Sequence, residues 1–141
     1  MLKGFVFNFK NIARLITLVR SERGRRTCHS EAAARCYTRD VSYWEMEECG
    51  AQDRIRVNNR KDLAEAFRRS DRNAYLVQLT VLELTWQGDE VTSRWRAKVR
   101  SPGTGAPYFK MGFSRARFRG FLIAEMVTIL TSVEEPVHLD A

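Results

Sequence analysis

Histidine and cysteine are both scarce in this chain. The two histidines, His29 and His138, stand far apart, and Cys28, Cys36 and Cys49 are odd in number with no C-x-x-C spacing. A zinc-type ligand set would have to recruit scattered carboxylates, and a disulfide framework is not suggested. Plain thiols fit a reducing compartment, so the expectation is a cytoplasmic protein with no metal and no cofactor. Long apolar runs are missing too. None approaches the roughly 20 residues that a spanning helix requires, so no integral membrane segment is expected.

What is present is ordinary globular material. Apolar residues make up 44% and charged residues 29% of 141 positions, enough for one core and hardly enough for two. A single domain over residues 1–133 is predicted, with a loose tail over 134–141. Lys and Arg number 24 against 17 acids, a net charge of +7. The basic excess starts early: Lys3, Lys10, Arg14, Arg20, Arg23, Arg25 and Arg26 face one acid, Glu22, in an amphipathic stretch. That composition suits a first helix of the domain, and a mitochondrial targeting segment has the same look.

From Phe7 to Val19 the apolar residues Phe9, Ile12, Leu15, Ile16 and Val19 recur at spacings of three and four, one face of a helix. The charged run Ser21 to Arg26, with Gly24, is expected to end it. Ser30 reads as the cap of a short second helix. Residues 40–46 alternate, with Val41, Tyr43 and Glu45 on one face of a strand. After a polar loop over 49–53 and a brief extended piece at 55–57, Asn59 caps a predicted helix over 60–69. Four long strands follow as two hairpins. Tyr75 to Trp86 turns through Gln87-Gly88-Asp89-Glu90 into Val91 to Arg100; a Gly/Pro loop over 102–107 then leads to Tyr108 to Phe118, Arg119-Gly120 and Leu122 to Thr131.

Strands gathered after helices indicate an α+β domain. The expected architecture is a cone-shaped, curved antiparallel sheet wrapped around about three helices. Such a cone encloses a pocket, and pockets of this kind hold small ligands.

Three stretches carry a family resemblance. Ala33 to Val41 is similar to a helix-end and strand-start pattern, Val57 to Leu63 to a helix-start pattern, and Gly112 to Glu125 to a closing hairpin. All three resemble the nuclear transport factor 2-like superfamily, in its SnoaL-like and ketosteroid-isomerase-like branch. The resemblance spans about residues 30 to 130. It implies a homodimer and a cofactor-independent isomerase, cyclase or epoxide-hydrolase-like activity. In ketosteroid isomerases the first strand supplies an acidic base, and Glu45 falls there. Tyr43 matches a tyrosine of limonene epoxide hydrolases, and Ser114 stands where the isomerases place a second acid. No phenol occurs between Arg14 and Leu18 to match their first-helix tyrosine. Trp95, Ala97 and Thr128 replace the Asp–Arg–Asp set of the epoxide hydrolases. Neither known catalytic set is complete.

Glu45 therefore has the sharpest chemical reading. A carboxylate aimed into an apolar cavity can take a proton next to a carbonyl, and the Tyr43 or Ser114 hydroxyl can donate to the developing oxyanion. Equally, Glu45 belongs to the acidic run with Glu47 and Glu48 and can simply pair with an arginine. Trp95, Ala97, Phe118, Met126, Thr128 and Leu130 are the expected pocket lining, for a small apolar or mixed-polarity ligand. On the outer side of the late strands, Arg94, Arg96, Lys98, Arg100, Arg115, Arg117 and Arg119 form a basic stripe. That stripe admits an alternative: a non-catalytic interaction module for nucleic acid or an acidic protein. Outward Phe109, Met111, Phe113, Val127 and Ile129 favour a homodimer over nucleic-acid binding.

Overall fold

The computed structural model of the chain describes residues 9–48, 53–100 and 106–134, the side chains of 132–134 excepted. Three helices, α1 (Phe9–Arg26), α2 (Ser30–Ala34) and α3 (Arg60–Asn73), accompany six strands. The strands are β1 (Tyr37–Glu47), β2 (Asp53–Val57), β3 (Tyr75–Gln87), β4 (Glu90–Arg100), β5 (Pro107–Arg119) and β6 (Leu122–Glu134). They form one curved, open sheet in the order β2-β1-β6-β5-β4-β3. The expected α+β cone is present, with one correction: β1 runs parallel to β6, so the sheet is mixed and not wholly antiparallel. The chain leaves β1 through β2 and α3 and comes back as the β3–β6 meander, which brings its last strand alongside the first. The expected loops over 49–52 and 101–105, the tail over 135–141, and Cys49 lie outside the described residues.

The largest departure from expectation is α1. Its apolar stripe Ile12, Leu15, Ile16 and Val19 stays 38–52% exposed. The face turned inward is Arg14, Thr17, Ser21 and Gly24, at spacings of three and four and almost free of apolar side chains. Arg14, 1% exposed, donates to Asp89 Oδ1 at 2.9 Å and to the Gly120 carbonyl at 3.0 Å, and lies over the Phe118 ring. Thr17 donates to the Phe121 carbonyl at 2.8 Å. The helix thus clamps the tips of both hairpins with hydrogen bonds, which a stripe of leucines would leave unsatisfied.

Gly24 continues α1 where a stop was expected. A Cβ there would lie 2.7 Å from the Ala33 backbone nitrogen, so glycine permits α1 and α2 to touch. The turn comes at Cys28, in the left-handed region at φ 58°. His29, not Ser30, precedes the first turn of α2. Asn59 caps α3 as expected, accepting from the Asp62 amide at 2.8 Å. The helix runs four residues beyond the predicted end, to Asn73.

Leu63 and Phe67 of α3 pack against Tyr37, Val41 and Tyr43 of β1, joined by Ile123, Ala116 and Phe118. Tyr37, Tyr43 and Phe67 meet edge to face at 5.4–5.9 Å between ring centres. Such pairs are worth about 0.5–1.5 kcal/mol each beyond the area they bury. This cluster closes one end of the cone. The other end, toward β3 and β4, stays open.

Candidate active site

Alternation along the strands determines what the open end presents. In β4, Val91, Ser93, Trp95, Ala97 and Val99 turn inward, and in β5 Lys110, Gly112, Ser114, Ala116 and Phe118 do the same. Cross-strand register aligns these positions in rows. One row runs Glu45–Thr128–Ser114–Ser93 across β1, β6, β5 and β4, giving a polar band on the concave face. Flanking rows carry Tyr43–Met126–Ala116 and Leu130–Gly112–Trp95. Between this face and α1 lies a cavity of about 550 Å³.

Eight of the nine residues singled out from the sequence line that cavity: Tyr43, Glu45, Trp95, Ala97, Ser114, Met126, Thr128 and Leu130. Phe118 does not. It is buried in the core between Arg14 and the Trp86 ring, at the hairpin end of β5 and away from the cavity lining. The apolar wall is completed by Leu79 and Val81 of β3 and by Leu15 and Val19 at the mouth.

Trp95 Nε1 donates to Ser114 Oγ at 2.9 Å, and Ser114 shares a hydrogen bond of 2.9 Å with Thr128 Oγ1. Either hydroxyl can be the donor of that bond; with Ser114 donating, the Thr128 hydroxyl proton is the one left for a bound molecule. Thr128 is also the direct neighbour of Glu45 across β1 and β6. Gly112 makes room for the Trp95 ring: a Cβ at Gly112 would sit 2.7 Å from its Cζ2 atom.

The β1 end of the cavity is ionic. Glu45 lies 3.6 Å from Arg54, which also bonds Glu47 at 2.7 Å. Glu45 thus lines the cavity and also faces an arginine. Arg25 projects from α1 over the Phe67 ring, 4.2 Å from its centre, and pairs with Asp71 at 3.3 Å. Burial, with Glu45 and Tyr37 adding to it, pushes the Tyr43 phenol well above its ordinary range, so it stays a proton donor. Tyr37, bonded to Ser21, is pushed up to about 12, chiefly by burial. Burial likewise raises the Asp71 carboxyl, against the pull of Arg25.

Sequence reasoning missed Arg25, Asp71 and Lys110. Lys110 shares the inward parity of Gly112 and Ser114 and was legible from it. Arg25 and Asp71 were not: they stand 46 residues apart, on α1 and α3, and no local pattern pairs them. On the outer face, Arg94 pairs with Glu83, Arg115 and Arg117 with Glu125, and Arg119 with Asp40, while Arg96 covers the Phe109 ring. No described group of three or more His, Cys, Asp or Glu residues is placed to hold a metal ion, and no described helix is long and apolar enough to cross a membrane.

No protein-family model matches this chain, and no curated protein matches it in sequence. Solved structures do match in shape. A proposed isomerase from Bacillus subtilis is similar with a TM-score of 0.73 at 13% identity, over 86% of this chain and 88% of that one. A protein with a ketosteroid isomerase-like fold from Catenulispora acidiphila, solved in complex with trimethylamine, is similar at 0.68 and 15%, over 82% and 85%. A nuclear transport factor 2-like protein from Burkholderia xenovorans is similar at 0.63 and 10%, over 84% and 89%. With helices and sheet arranged as in these structures, the chain has the nuclear transport factor 2-like fold.

Proposed function

We propose that the protein binds a small, largely apolar molecule in the cavity between α1 and the sheet and transfers a proton on it. The observation that carries this reading is the position of Glu45 on an apolar cavity beside Thr128, the end of the Trp95–Ser114–Thr128 chain. Glu45 takes a proton from carbon next to a carbonyl, and Thr128 or the protonated Tyr43 donates to the resulting oxyanion. Arg54, 3.6 Å away, is the cationic neighbour of that carboxylate. The isomerase-like neighbours support this class of chemistry by analogy of fold, and fold alone carries no substrate.

The test is isomerisation of a β,γ-unsaturated keto-steroid to its conjugated form, followed by ultraviolet absorption, in wild type and Glu45→Gln. General-base catalysis contributes about 10²–10⁴-fold, so the variant is expected to lose roughly that much in kcat with little change in KM. A Glu45→Gln protein that turns over unchanged removes Glu45 as the base.

The outer sheet face supports a second feature of the reading, a homodimer. Phe113, 49% exposed, stands among Val127, Ile129, Arg94 and Arg115 in a shallow groove. Because Arg94, Arg115, Arg117 and Arg119 already have carboxylate partners on that face, it suits a second copy better than a nucleic-acid backbone.

A further inference from the structure

We propose that the cavity is built for a monocarboxylate, whose apolar body lies along the β3–β4 wall and whose carboxylate sits against Lys110. This rests on the cavity being the ligand site, as proposed above.

The argument is one of ion-pair contacts at the β1 end. Glu45 has Arg54, Glu47 shares it, and Asp71 has Arg25. Lys110 is left over: among the described residues no carboxylate lies within ion-pair distance, and its nearest aromatic neighbour is the Tyr108 ring at 5.8 Å. The side chain is half-buried and lines both the main cavity and the adjoining groove between β2 and α3. Burial, and after it the Arg54 charge, pull its pKa below the usual lysine range, while Glu45 works in the opposite sense. A partly dehydrated ammonium without a partner is unfavourable, and an entering anion removes that cost.

The apolar wall sets the rest of the ligand. Leu79, Val81, Ala97, Val99, Met126 and Leu130 offer neither donor nor acceptor in their side chains, so the body must be apolar. One ammonium outside any ion pair offers a contact for one carboxylate. A neutral ligand leaves the ammonium unpaired, and a cationic ligand adds repulsion.

Isothermal titration with three probes of one shape tests this: naphthalene-2-carboxylate, naphthalene-2-carboxamide and 2-naphthylmethylamine at neutral pH. The carboxylate is expected to bind roughly 10- to 100-fold tighter than the amide, the range for a hydrogen bond to a charged group. Lys110→Met should abolish that preference while leaving amide binding in place, and Lys110→Arg should retain most of it. Circular dichroism checks that both variants fold. Equal binding of carboxylate and amide, preference for the amine, or an undiminished preference in Lys110→Met overturns the carboxylate inference and leaves the cavity reading standing. Failure of all three probes to bind overturns both.

Discussion

Tyr37 and Tyr43 show how burial converts an ordinary side chain into a fixed proton donor. Both phenols face the aromatic cluster around Phe67, and the fold favours their neutral forms. The consequence for stability has a definite sign. Below pH 10 both phenols are protonated whether the chain is folded or not. As the pH rises the unfolded chain loses these protons first, so stability falls from about pH 10 and continues falling through pH 12. Difference spectra of wild type against Tyr37→Phe should therefore show phenolate absorbance only at about pH 12, and those against Tyr43→Phe only well above the ordinary phenol range, in each case together with loss of the fold. Appearance of the Tyr43 phenolate near pH 10 in the folded protein would contradict the burial argument. At this scale the sequence was informative where parity decides direction. Tyr43, Glu45, Trp95, Ala97 and Ser114 alternate toward the cavity as the period of two requires. It was uninformative for Arg25 and Asp71, which stand on two helices, 46 residues apart in the chain.

Helix α1 shows where pattern reading fails and why. Its apolar stripe is regular, but hairpin tips present carbonyls and Asp89, which demand donors, so Arg14 and Thr17 turn inward and the stripe turns out. Leu15 and Val19 then border the cavity mouth instead of entering the core. The late strands behave as expected because both faces of a strand are set by one alternation. Phe118 keeps the inward parity of β5, but at the hairpin end of the strand it meets Arg14 and Trp86 and so joins the core. The parallel β1–β6 pair was not legible, since nothing local distinguishes it from an antiparallel one. On the outer face of the sheet, Phe113 is the centre of the proposed dimer contact. Light scattering should report a dimer for wild type and a monomer for Phe113→Glu, while Ile16→Glu on the exposed face of α1 should stay dimeric. A dimer that survives Phe113→Glu but not Ile16→Glu would transfer the contact to α1.

At the scale of the whole molecule, a net charge of +7 coexists with a cavity whose ionic groups nearly cancel. Most of the excess lies on α1 and the outer strands, where carboxylates on neighbouring elements partly neutralise it. Lys110, with no carboxylate among the described residues in ion-pair distance, stands at one end of an apolar wall. The central claim is that this space, and no outer surface, receives the ligand. Ala97 tests it most directly, since it is 4% exposed and small, in the middle of the wall. Phenylalanine in its place would occupy volume a ligand needs. Calorimetric titration of naphthalene-2-carboxamide into a cooperatively folding Ala97→Phe protein should show binding weakened at least about tenfold relative to wild type. Binding of equal affinity in the two proteins would place the ligand elsewhere and contradict the account.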